Sequence, residues 1–94
     1  MNLRDWNEIL FSYCSANAYA PEELKAAIIA KPAWGKAFHE TYRDALRGGM
    51  ARMTWGREAF GFGHPNDEAF RDWLEALRAH LFEGAPEPRP DGQS

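Results

Sequence analysis

The side chains best suited to bind a metal ion or to transfer a proton at neutral pH are the three histidines, His39, His64 and His80. A zinc pair on a helix needs two ligands one turn apart, and these histidines are much farther apart in sequence. The sequence therefore predicts no metal site and no cofactor. We interpret His80 as a partner of the negative end of its helix and His64, which precedes Pro65, as a turn residue.

The single cysteine, Cys14, is the other candidate for covalent chemistry. A reactive thiol needs a histidine or a cationic neighbour that stabilises the thiolate, and no such pattern surrounds it. Its position on the apolar stripe of a helix instead indicates a small core residue. The acidic pairs at helix starts are accounted for by the helix dipole. We therefore expect no catalytic residue, and we predict that the protein is not an enzyme.

The segment 48–65 reads neither as an ordinary helix nor as a polar loop. Its glycines weaken helix and strand alike, yet methionine, tryptophan, phenylalanine and arginine crowd between them. Tryptophan and arginine dominate hot spots in protein interfaces, and methionine is enriched there. We therefore predict a partner-binding patch that consists of Arg47, Met50, Arg52, Met53, Trp55 and Arg57.

This patch predicts a small non-enzymatic protein–protein interaction module, acting as an adaptor, regulator or inhibitor of a larger protein or complex. Self-association as a homodimer would use the same apolar segment. One alternative is a nucleic-acid-binding module, because arginines beside aromatic rings can meet phosphates and stack on bases. Another alternative is an inhibitor whose acidic helix faces dock on a basic nucleic-acid-binding complex.

Composition narrows these choices. The chain has 94 residues, enough for one domain, and a formal net charge of -3, which weakly disfavours nucleic-acid or membrane binding. One cysteine cannot form an internal disulfide, and the sequence shows neither a signal peptide nor an apolar run that could span a bilayer. We therefore expect a cytoplasmic protein that binds no membrane.

Apolar residues spaced three and four apart predict the helices that position these side chains. A first helix should span 3–18 after an Asn2 cap, and a second should run from Pro21 to about Ala30. A third is expected from Pro32 to about Arg47, ended by Gly48 in the left-handed conformation.

A last helix is predicted to begin after an Asn66 cap and to end at Gly84. The expected fold is a compact all-α bundle of about four helices, with an irregular connection rich in glycine and aromatic residues before the last helix. The helical domain should cover 1–84, and the proline-rich tail 85–94 should be disordered. We expect the first and last helices to be adjacent, around a core of Trp6, Leu10, Tyr13, Phe38, Tyr42, Phe70, Trp73, Leu77 and Leu81.

Overall fold

The computed structural model describes residues 1–15, 18–49, 60–61 and 63–88. Within these ranges the chain forms four α-helices, which we label α1 to α4, and a two-residue extended segment after the first helix. The predicted all-α class is confirmed. The helices span Leu3–Cys14 (α1), Pro21–Ala30 (α2), Pro32–Asp44 (α3) and Asp67–Glu83 (α4).

Side chains and prolines start the helices as the sequence predicts. The Asn2 side chain accepts a hydrogen bond from the backbone N–H of Asp5 at 2.8 Å, and this cap opens α1. Pro21 opens α2, where the missing N–H costs nothing. Helix α1 ends at Cys14 rather than at residue 18, because Ser15 turns to an extended conformation. Tyr19 then forms an antiparallel bridge back to Cys14.

Helix α3 continues into a π-helical turn, Ala45–Gly49. The prediction that Gly48 ends this helix in the left-handed conformation is wrong, because the glycines described with positive φ are Gly61, Gly63 and Gly84. The wider turn carries the helix past the expected end instead. Most of the expected irregular connection, residues 50–59 and 62, lies outside the described residues.

Helix α4 has both predicted ends. Asn66 accepts a hydrogen bond from the backbone N–H of Ala69 at 2.8 Å, and Gly84 closes the helix with φ of 74°. Beyond it, the carbonyl of Ala85 lies 2.8 Å from His80 Nδ1, and the carbonyl of Pro88 accepts a hydrogen bond from the Tyr19 hydroxyl at 3.0 Å. The described start of the predicted tail thus contacts the helical domain.

The core is mainly aromatic, and all but one of the predicted core residues are buried; Tyr13 is only partly buried at the edge. Trp6 packs on the rings of Phe38 and Tyr42, at 5.0 Å between centroids for Trp6 and Tyr42. Trp73 packs on Phe60 at 5.9 Å. Among the described helices, α1 packs mainly on α2 and α3, and its expected adjacency to α4 stays a prediction.

Helices α3 and α4 run antiparallel, and a buried tyrosine fixes how they are aligned. The Tyr42 hydroxyl donates a hydrogen bond to the Leu74 carbonyl. Phe38, about one turn before Tyr42, packs near Phe82, about two turns after Leu74. A buried hydroxyl without a partner costs about 1–3 kcal/mol, so this bond disfavours other alignments of the two helices. It sets which outer side chains of α3 face those of α4.

Two glycine substitutions test the packing of α2 on α3. A Cβ at Gly35 would lie 2.8 Å from Ile28 Cγ2 and 3.0 Å from the Ile28 carbonyl oxygen, so Gly35→Ala must separate the helices. Overpacking costs about 1–3 kcal/mol, more than the gain of about 1 kcal/mol in helix propensity. We expect a lower free energy of unfolding in denaturant titrations.

Gly48→Ala is the matched control, because a Cβ there meets no atom within 4 Å. It should leave stability unchanged or raise it by about 0.4–1 kcal/mol, since alanine restricts the unfolded chain. Equal effects of the two substitutions would contradict the close approach of α2 and α3.

Candidate functional site

The antiparallel helices α3 and α4 bring two charged stripes face to face. Along α3 and the π-helical turn, His39, Arg43 and Arg47 recur every four residues. Together with side chains of α4 they line an open groove of about 650 Å³, which we call the basic groove. Its lining residues are His39, Arg43, Leu46, Arg47, Arg71, Glu75, Arg78 and Glu83.

Arg78 is held inside the basic groove by three partners. Its Nη2 lies 2.7 Å from a carboxylate oxygen of Glu75 and 2.6 Å from one of Glu83, and its Nη1 lies 3.2 Å from His39 Nε2. Only 14% of its side chain is exposed. The hydrogen bond from Arg78 holds the pKa of Glu75 below its usual value. Arg78 is thus saturated, and its role is to hold the groove wall together.

His39 links the groove to its apolar neighbour. The imidazole stacks on the ring of Phe82 at 4.0 Å between centroids and 13° between planes. Burial, then the nearby charges of Arg78 and Arg43, lower the pKa of His39 below its ordinary value of 6.5. A guanidinium only donates, so Nε2 accepts the hydrogen bond from Arg78 and the neutral ring carries its proton on Nδ1.

Arg43 and Arg71 are exposed arginines of this groove that form no ion pair with a carboxylate of the described residues. Arg71 Nε donates a hydrogen bond to the Leu46 carbonyl at 3.0 Å, which orients the side chain. Arg47 differs, because its Nη2 pairs with Asp44 at 2.5 Å. The groove therefore offers two guanidinium groups to an anionic ligand: that of Arg71, which is oriented by a hydrogen bond, and that of Arg43, which is exposed.

An apolar pocket of about 360 Å³ adjoins the groove. His39 lines both cavities, so they are neighbours on the surface formed by α2, α3 and α4. Ile29, at its edge, is 70% exposed, which is unusual for a large aliphatic side chain in this chain. The pocket is lined by Ile28, Ile29, Pro32, Gly35, Lys36, His39 and Phe82.

The predicted patch is only partly visible here. Arg47 lines the basic groove. The other predicted residues lie outside the described residues, namely Met50, Arg52, Met53, Trp55 and Arg57. His39, Arg71 and Ile29 are absent from the predicted patch. The spacing of His39, Arg43 and Arg47 was a signal that these three share one helix face.

The remaining candidates for chemistry are structural. His64 directly precedes a bend at residues 65 and 66 and is buried against Phe70 and Trp73. His80 lies in the last turn of α4, as predicted, and its Nε2 lies 2.8 Å from a carboxylate oxygen of Glu22, so it also ties α4 to α2. Cys14 is buried as predicted, and burial raises the pKa of its thiol to about 12.

A second, acidic cavity lies on the side of α1. It has a volume of about 550 Å³ and is lined by Asp5 and Glu8, with Trp34 and the 44% exposed Met1 beside them. Glu8 pairs with the exposed Arg4 at 3.4 Å. If the protein is an inhibitor that docks on a basic complex, this acidic cavity is the surface that would bind it.

Within the described ranges no three histidine, cysteine or acidic residues are grouped as metal ligands would be. No helix in those ranges is both long and apolar enough to cross a membrane. A scan against protein-family models, a search of curated proteins and a search of solved structures each found no match to this chain. The basic groove and its apolar pocket are therefore judged on their own geometry.

The lowered pKa of His39 predicts how stability changes with pH. Above pH 6.5 the ring is neutral in both folded and unfolded chains, so it contributes nothing. As the pH falls below that value, the unfolded chain takes up the proton first, and the free energy of unfolding decreases. His39→Gln retains an acceptor for Arg78 without titrating. We expect a shallower pH dependence in urea titrations of this variant.

The ring protons of His39 give an independent check by NMR. Their titration midpoint should lie below 6.5 in the folded protein. A midpoint above that value, or identical pH slopes for the wild type and His39→Gln, would contradict the arrangement around Arg78.

Proposed function

We propose that the protein is a small interaction module that binds another protein through the basic groove and the adjoining apolar pocket. In this role it acts as an adaptor, regulator or inhibitor of its partner. The observation that supports the proposal is that His39 joins a groove with exposed arginines to an apolar pocket with exposed Ile29. Protein interfaces combine an apolar centre with arginine-rich polar surroundings in this way.

The charge of the groove favours a protein partner over a nucleic acid. Four arginines and two glutamates line it, so its net charge is +2 with His39 neutral. A nucleic-acid strand laid along the stretch from His39 to Arg47, about 12 Å of helix, would bring about four phosphates. Glu75 and Glu83 would repel them, and the whole chain carries -3.

The aromatic rings of this face also suit a protein partner better. Binding of single strands relies on open ring faces on which bases stack. One face of the Phe82 ring is already covered by His39. An aliphatic pocket beside Ile29 instead accepts an apolar side chain of a protein.

The patch predicted from the sequence extends this proposal beyond Arg47. Trp55 remains its expected hot spot, and Trp55→Ala should weaken binding without unfolding the protein. Because these residues lie outside the described ranges, that part of the interface stays a prediction.

Substitution of Ile29 tests the proposed interface directly. The side chain is 70% exposed, so Ile29→Lys should leave the fold intact, which a thermal melt verifies. A lysine at a buried contact should lower recovery of the partner by at least about tenfold. The measurement is affinity capture of the tagged protein from its own cell extract, with and without nuclease, followed by quantitative mass spectrometry.

Ser12→Lys is the matched control, because it adds the same charge at an exposed position on the acidic cavity. It should leave recovery unchanged. Loss of the partner with Ser12→Lys but not with Ile29→Lys would place the interface on the acidic face instead. Partners lost on nuclease treatment would favour the nucleic-acid alternative, and light scattering of the pure protein separates self-association from binding to a different chain.

A further inference from the structure

We infer that the partner segment bound by this face is acidic, with carboxylates held by Arg43 and Arg71 and an apolar side chain seated beside Ile29. The inference rests on the proposed function and adds the chemistry of the partner. It assigns different tasks to the arginines of the groove. Arg78 stabilises the side of the groove through its internal contacts, whereas Arg43 and Arg71 bind the ligand.

The hydrogen bonds of the groove support this division. Arg78 already meets Glu75, Glu83 and His39, so a ligand carboxylate would have to displace one of them. Arg71 is anchored through Nε, which leaves both of its Nη groups without a partner in the described part of the chain. Because the Arg71 side chain is already anchored, it loses less conformational entropy when a ligand binds. A planar guanidinium can also form two parallel hydrogen bonds with one carboxylate.

Arg43 has an exposed side chain and no ion pair with the described residues. It lines the basic groove and also a smaller cavity shared with Glu40, Asp44 and Arg47. The carboxylate of Asp44 is engaged with Arg47. Arg43 thus remains available to a ligand from either side.

The apolar pocket defines the second part of the ligand. It is lined by aliphatic side chains and by the stacked rings of His39 and Phe82, so it suits a leucine or phenylalanine side chain. Lys36 in the pocket and Arg43 in the groove are two helical turns apart, about 10 Å along α3. An extended peptide covers this distance in about three residues.

Charge complementarity identifies the segment as acidic. The groove carries a net +2 although the chain as a whole carries -3, so the groove attracts an acidic segment. The charge is small enough for one or two carboxylates to neutralise it. A segment with an apolar residue about three positions from a pair of acidic residues fits both parts of the surface.

A synthetic peptide tests this inference. The probe is acetyl-Gly-Phe-Gly-Gly-Glu-Glu-Gly-amide, titrated to millimolar concentration into the ¹⁵N-labelled full chain and followed by NMR. We expect shifts at the arginine Nε–H signals of Arg43 and Arg71 and at the Ile29 amide. The same peptide with glutamine in place of glutamate should bind at least about fivefold more weakly, because charged hydrogen bonds are lost.

Arg43→Gln should weaken binding of the glutamate peptide about fivefold without changing the melting temperature, since this side chain has no ion pair to lose. Arg4→Gln is the control, because Arg4 is 86% exposed, lies on α1 and does not line the groove. Equal binding of the glutamate and glutamine peptides, shifts outside the groove, or no shifts at millimolar peptide would overturn the inference.

An oligothymidylate of eight nucleotides gives the remaining comparison. Tighter binding of this probe than of the peptide in the same groove would overturn the inference in favour of nucleic acid. If the glutamate peptide does not bind while Ile29→Lys still abolishes capture of a nuclease-resistant protein partner, the proposed function is retained and the inference that the partner segment is acidic is rejected. If capture is also unaffected by Ile29→Lys, both are wrong.

Discussion

The buried hydroxyl of Tyr42 is the constraint on which the arrangement of this protein depends. The side chain is fully buried, so its hydroxyl must find an acceptor, and the Leu74 carbonyl of α4 provides it. Sliding α3 along α4 would break this hydrogen bond. The bond therefore favours one alignment of α3 on α4. With Phe38 and Tyr42 turned inward, His39 and Arg43 necessarily face the edge where α4 presents Arg78.

The properties of the basic groove follow from which of its charged side chains pair with one another. Arg78 contacts the carboxylates of Glu75 and Glu83 and the neutral ring of His39, and these paired donors and acceptors stabilise one side of the groove. Burial and the neighbouring cations keep His39 neutral, and a neutral ring can stack on Phe82 and accept from Arg78 together. Arg47 pairs with Asp44, whereas Arg43 and Arg71 have no ion pair within the described residues. The proposed interaction surface lies where these two arginines are exposed.

Much of the fold could be predicted from local signals. Asn2, Pro21 and Asn66 start helices through interactions within a few residues, and Gly84 ends one by its freedom to adopt positive φ. The site could be predicted only in part. Arg47 was selected from a run of arginines, whereas Arg71 and Ile29 belong to different helices and carry no local mark of function. Local spacing also gave the wrong end for α1, because the extended turn at Ser15 pairs Tyr19 with Cys14.

The sequence by itself determined the all-α class, the starts of the helices and nearly all of the buried aromatic residues, because capping and apolar periodicity act between residues close along the chain. The tertiary structure alone decided which charges meet. It placed His39 on Phe82, buried His64 against Trp73 and joined His80 to Glu22. These contacts depend on the alignment and crossing of helices, which arise from packing of the whole core and leave no signature in any one segment.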